Sequence, residues 1–175
     1  SLLITLYENL RWKTISPQGF REEMLAYLPN ESNSLLFSMA LSYLGDCQRI
    51  FPSDSRPLEQ VLWKIVTTNP VSQHRLQAFR LYRSIADSEE AVQRLYTLWQ
   101  ERKAPKDCTL SESDYIGLSY MLAMHLPEKA DKIIATQLSR IQNPDRKKEY
   151  QFISPSVSPR KACLLYTSPS PRDRT

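Results

Sequence analysis

Glycine is almost missing from this 175-residue chain, which has only Gly19, Gly45 and Gly117. No Asn-Gly or Asp-Gly pair separates alternating apolar and polar residues, so the tight hairpin turns of β-architectures have no sequence to form them. Histidine is scarcer still. His74 and His125 stand 51 positions apart, and neither lies in a His-Glu-x-x-His setting. A zinc site borne on one helix, which needs two histidines four residues apart, is therefore excluded, and no metal ligand is assigned. Apart from Cys163 in the terminal stretch set aside below, the cysteines are Cys47 and Cys108, 61 residues apart. That is neither a disulfide framework nor a zinc-ligand pair, and both read as buried or idle thiols. There is no glycine loop for phosphate and no Gly-x-Ser-x-Gly elbow, and no apolar run reaches the roughly 18 residues of a membrane span. No catalytic, cofactor-binding or metal-ligating residue follows from the sequence.

What is present is a rhythm of amphipathic segments. With 41% hydrophobic and 24% charged residues the chain can bury a core, and apolar residues recur at helical spacing between short joints. Leu2, Leu3, Leu6, Tyr7 and Leu10 form a first stripe. Ser16-Pro17 supplies a cap and a first-turn proline for a second helix carrying Phe20, Met24, Leu25 and Leu28, ended by Pro29-Asn30. Leu35, Leu36, Met39, Leu41, Tyr43 and Leu44 predict a third helix stopping near Gly45. Leu58, Val61, Leu62, Ile65 and Val66 predict a fourth, closed by Asn69-Pro70. Leu76, Phe79, Arg80 and residues 82–85 mark a fifth. Ser88 with Glu89 and Glu90 opens a sixth, carrying Val92, Leu95, Tyr96, Leu98 and Trp99. Ser111 or Ser113 caps a seventh, with Tyr115, Ile116, Leu118, Met121 and Leu122. Pro127-Glu128 starts an eighth, with Ile133, Ile134, Leu138 and Ile141. Asn143-Pro144 starts a ninth, running to about Phe152, with Ser154-Pro155 ending it or beginning another.

These features predict an all-α fold, a HEAT-like α-solenoid or irregular helical array of eight or nine helices, with antiparallel pairs implied by the short joints. Residues 1–162 are assigned to this domain. The chain opens at Ser1 inside an apolar pattern and reads as cut there. Its end, "CLLYTSPSPRDRT" at residues 163–175, resembles the translation of a sequencing-library adapter and is set apart as a non-native disordered tail. Without Arg172, Asp173 and Arg174 the formal net charge falls from +4 to +3.

Charge and aromatic residues give weaker signals. Arg75, Arg80 and Arg83 on one helix, and Arg146, Lys147 and Lys148 on another, could form a phosphate-binding strip. The net charge is small, and Asp145 and Glu149 interrupt the second cluster, so solvated helix faces are the preferred reading and no nucleic-acid partner is assigned. His74, near a helix start, and His125, at a helix end, read as surface or capping residues. Trp12, Trp63 and Trp99 read as core or interhelix anchors.

Three segments, in order, carry a resemblance. They are "LYENLRWKTISPQGFREEMLAYLPNESNSLLFSMALSYLGD", "RLYRSIADSEEAVQRLYTLWQER" and "RIQNPDRKKEYQFISPSVSP". Together they look like the C-terminal helical domain of bacterial M1-family zinc aminopeptidases, the aminopeptidase N group. The resemblance spans nearly all of residues 1–160. The Asn-Pro-Asp-Arg break is similar to a joint between late helix pairs of that domain, so a further pair is expected to follow.

In that family the zinc ligands, the general-base glutamate and the Gly-x-Met-Glu-Asn motif belong to an upstream domain. None of these motifs occurs here, so no catalytic residue transfers. The resemblance implies a fragment of an enzyme that removes N-terminal residues from peptides, zinc-dependent in its parent form. This part would be the non-catalytic helical domain covering the active-site chamber. Its implied partners are the upstream catalytic domain and the peptide substrate. The alternative is a free-standing HEAT-like protein-interaction scaffold.

Overall fold

The computed structural model describes residues 2–157; the tail at residues 163–175 lies outside the described residues. Among the described residues there are nine α-helices and no strand. They are α1 (Leu2–Arg11), α2 (Pro17–Tyr27), α3 (Ser34–Ile50), α4 (Arg56–Thr68), α5 (Ser72–Ile85), α6 (Glu89–Glu101), α7 (Glu112–His125), α8 (Ala130–Arg140) and α9 (Pro144–Val157). Short 3-10 turns at Leu28–Asn30 and Pro127–Lys129 follow α2 and precede α8. No helix among the described residues is long and apolar enough to cross a membrane.

Polar caps set five of the nine helix starts, four of them, at Ser16, Ser88, Ser111 and Asn143, as the sequence indicates, while α4, α5 and α8 start without a side-chain cap. Ser16 Oγ accepts from the Gly19 N–H at 3.0 Å, with Pro17 in the first turn. Asn33 Oδ1 accepts from the Leu35 and Leu36 N–H groups, and Ser88 Oγ accepts from the Ala91 N–H. Of the two candidate serines before α7, Ser111 is the cap. It closes a reciprocal box with Asp114, each side chain accepting from the other's backbone N–H. Asn143 Oδ1 caps α9 through the Asp145 and Arg146 N–H groups. Each such cap contributes about 1 kcal/mol by supplying an acceptor to an otherwise orphaned donor.

All three glycines lie inside helices, so the left-handed positions fall to other residues. Lys13, Arg102 and Asp107 have φ of 59°, 54° and 57°, at a cost of about 1 kcal/mol each. Gly45 does not stop α3, which runs on to Ile50. A Cβ at Gly45 would sit 3.0 Å from Leu81 Cδ1. Its missing side chain lets α5 approach α3 closely, and α3 does pack on α5. Nor does Ser154-Pro155 end α9, which continues to Val157 with Pro155 inside its last turn. Pro155 removes only the hydrogen bond to the carbonyl of residue 151, and exposed Gln151 leaves that carbonyl open to water.

The chain divides into two compact units. Among the described residues, the first comprises residues 2–94 and Arg102–Thr109, the second Leu95–Glu101 and residues 110–157. In the first, α3 packs against α1, α2 and α5, and α4 packs on α5. The buried stripe of α3 is Phe37, Ala40, Leu41, Leu44 and Cys47. Leu35, expected in the core, is exposed. Both choices satisfy helical periodicity, and the phase is decided by which face meets the neighbours. In the second unit α7, α8 and α9 pack on one another around Leu118, Leu122, Ile133 and Tyr150.

Candidate functional site

His74 is fully buried on α5, not at the surface as its place in the sequence suggested. Its ring stacks on Phe37 with centroids 4.1 Å apart, and Nε2 lies 3.0 Å from Ser34 Oγ. A serine beside an imidazole is the first half of a nucleophile–base pair. The second half is missing, because Nδ1 has no partner and therefore no acid orients the ring. A ring with no exposed surface also offers no approach to substrate, so the contact is a core pair that joins α3 to α5. His125 is exposed at the end of α7, with Nδ1 3.0 Å from the Met121 carbonyl. That places it at the helix C-terminus, where the sequence put it.

Cys47 and Cys108 are buried free thiols, and burial pushes both thiols up from their usual range. Neither is poised as a nucleophile. No group of three or more potential metal ligands occurs among the described residues. The basic strip is partly consumed by ion pairs. Arg75 pairs with Asp107 at 3.3 Å and Arg146 with Glu112 at 3.4 Å, while Arg80 and Arg83 also have partners.

The tryptophans divide. Trp99 is buried and donates Nε1–H to Gln137 Oε1 at 2.8 Å, and Trp63 stacks obliquely on Tyr82. Trp12 is 78% exposed and is not a core anchor in the described residues. It lies just past the end of α1, beyond the reach of that helix's buried face.

The densest polar construction is in the first unit, where α4 faces the start of α6. A cleft of about 610 Å³ is lined by residues that include Arg56, Glu59, Trp63, Glu90 and Arg94. At one side Glu59, almost fully buried, accepts at Oε1 from Ser55 Oγ (2.8 Å), Asp87 N–H (2.8 Å) and Ser88 N–H (3.1 Å). Its Oε2 accepts from the Ser88 hydroxyl. Burial alone would raise this carboxyl. The backbone N–H of Asp87, the Ser88 hydroxyl and N–H and the Ser55 hydroxyl outweigh burial and hold it below the usual range. Opposite, Arg94 lies over the Trp63 ring at 4.7 Å, donates to Tyr82 Oη at 2.9 Å and pairs with Glu90 at 2.6 Å.

This geometry supports anchoring rather than catalysis. Glu59 has four donors on two oxygens, which leaves little basicity for moving a proton. The Arg94 guanidinium is committed to three partners. Glu59 was not singled out from the sequence because a first-turn carboxylate ordinarily faces water and favours the helix dipole. Only the α5–α6 joint, brought from 28 residues away, turns it inward. The class these features define is an all-α protein with a polar cleft between α4 and the start of α6. No protein-family model, curated protein or solved structure matches the chain.

Proposed function

We propose that the chain is the non-catalytic helical part of a zinc-dependent aminopeptidase of the M1 type. It would work beside an upstream domain that holds the metal and the catalytic carboxylate, and would cover the chamber in which peptide N-termini are trimmed. The observation that carries this reading is the order of the three resembling segments. They fall on α1 to α3, on α5 and α6, and on the α8–α9 joint. The Asn-Pro-Asp-Arg element of the third segment folds as a capped helix start at Asn143.

The test is the reading frame upstream of Ser1 in the source DNA. His-Glu-x-x-His and Gly-x-Met-Glu-Asn are expected in the same frame, and a stop codon followed by an independent start beside Ser1 overturns the reading. Purified residues 1–162 with added zinc should neither cleave aminoacyl anilides nor bind zinc stoichiometrically. Chelator-sensitive cleavage by this segment alone would reassign His74 or His125 as a ligand. A second reading, a helical protein-interaction scaffold, is favoured by the exposed aromatics Trp12 and Phe152, 78% and 87% accessible. An independent start codon would select it.

A further inference from the structure

Arg21 on α2 is a buried cation whose described partners include no anion. It is only 8% exposed. Its Nε donates to Gln48 Oε1 at 3.1 Å, and Nη2 donates to the Phe51 carbonyl. Both acceptors are neutral, and a guanidinium has five N–H donors to satisfy. None of the Arg21 nitrogens is both buried and without a partner, so Nη1, which Gln48 and Phe51 leave unused, reaches accessible surface and can donate to an anion there.

Arg21 lines a pocket of about 310 Å³ between α2 and the segment leading into α4, together with Leu25, Pro57 and Leu58, and with Glu22, Ser53 and Asp54. That volume is at the small end of ligand pockets. The two carboxylates in the lining do not neutralise Arg21. Asp54 is taken by Arg56, which grips both its oxygens at 2.7 to 3.0 Å. Glu22 accepts from Gln18 at 3.0 Å and has no cation among its described contacts.

We propose that this pocket binds a monocarboxylate with a short apolar tail. Arg21 would hold the carboxylate, with Leu25, Pro57 and Leu58 against the tail. A guanidinium favours planar carboxylates through paired N–H donors. The uncompensated Glu22 charge disfavours a dianion such as phosphate. A free short-chain acid and the C-terminal carboxylate of a peptide share this chemistry. The proposal does not rest on the aminopeptidase reading.

The test is a two-dimensional NMR titration of the full chain, following the amides of residues 18–25 and 53–58. Its probes are hexanoate, acetyl-Ala-Leu, acetyl-Ala-Leu-amide, hexanol and inorganic phosphate. Hexanoate or acetyl-Ala-Leu should saturate with a Kd of the order of 1 mM; the tighter of the two identifies the source. The amide, hexanol and phosphate should bind at least about tenfold more weakly. Arg21→Met should weaken hexanoate about tenfold. Leu25→Trp, which fills the pocket without touching the Arg21 bonds, should do the same if Arg21→Met fails to fold. Glu22→Gln should tighten binding about two- to threefold. The proposal is overturned if neither carboxylate saturates, if amide or hexanol binds as well as acid, or if Leu25→Trp leaves hexanoate binding unchanged.

Discussion

The two units place polar groups in their interiors by different means. The first buries groups that carry or can carry charge. Glu59 holds four donors, Arg21 binds only neutral acceptors, and His74 has one nitrogen bonded and one not. The second buries two neutral pairs, Trp99 with Gln137 and Ser119 with Tyr150 at 2.9 Å, and a single described carboxylate, Asp114, answered within its own helix cap by Ser111. Its nearby cation, Arg140, lies over the Trp99 ring and donates to the Trp99 and Gln100 carbonyls. A neutral hydrogen-bonded pair costs little to bury, whereas a charge must be fully answered. The first unit should therefore fail abruptly when a partner of Glu59 is removed, and Glu59 makes it sensitive to acid. The second should fail more gradually, and Tyr150 makes it sensitive to alkali.

The largest effect expected is at Glu59. Glu59→Ala leaves two backbone N–H groups and two hydroxyls without their acceptor and should destabilise the first unit by about 3 to 4 kcal/mol in urea denaturation followed by Trp63 fluorescence. The pH dependence follows from the sign of the shift. Its carboxyl titrates lower when folded than unfolded. The stability it contributes is therefore complete above the ordinary carboxyl range and is lost as pH falls through the folded value. Glu59→Gln should flatten that acid limb, and an unchanged limb would place the acid sensitivity elsewhere.

Tyr150 makes the opposite case. Burial first, with the Tyr120 charge adding and the Ser119 hydroxyl opposing, pushes its hydroxyl from 10.0 up to about 12. Its folded value lies above its unfolded one, so its contribution is intact below pH 10 and declines as pH rises toward 12. The loss is about 3 kcal/mol for a buried group. Tyr150→Phe should remove this alkaline decline while costing about 1 kcal/mol at neutral pH, and thermal melts across the pH range would read both.

Two smaller changes sharpen the contrast. Ser111→Ala removes one arm of the box at the start of α7 and should cost about 1 kcal/mol, seen as a lower urea midpoint without a changed slope. Arg146→Ala breaks a half-exposed pair with Glu112 and should change stability by less than about 0.5 kcal/mol, with little response to salt.

Helix number, and most starts and stops, could be read from the residues because they depend on local chemistry. A serine or asparagine oxygen reaches an N–H two or three positions away, and a proline blocks a bond within one turn. The lack of zinc spacing was equally legible. Two readings based on local punctuation failed, Gly45 as a stop because tertiary context favours it inside α3, and Ser154-Pro155 as an end because a proline in the last turn removes only one bond. At Gly45 that context is the close approach of Leu81.

The sequence by itself determined that this chain is helical, where four of its helices are capped, and that it carries no His-Glu-x-x-His motif. Tertiary structure alone decided which of two plausible faces of α3 is inside. It also decided that His74 is buried while Trp12 is not, that Glu59 serves a joint 28 residues away, and that Arg21 is enclosed without an anion. The physical reason is range. Caps and helical periods act over three or four residues, whereas burial and the neutralisation of charge depend on atoms that the chain brings together only when helices pack.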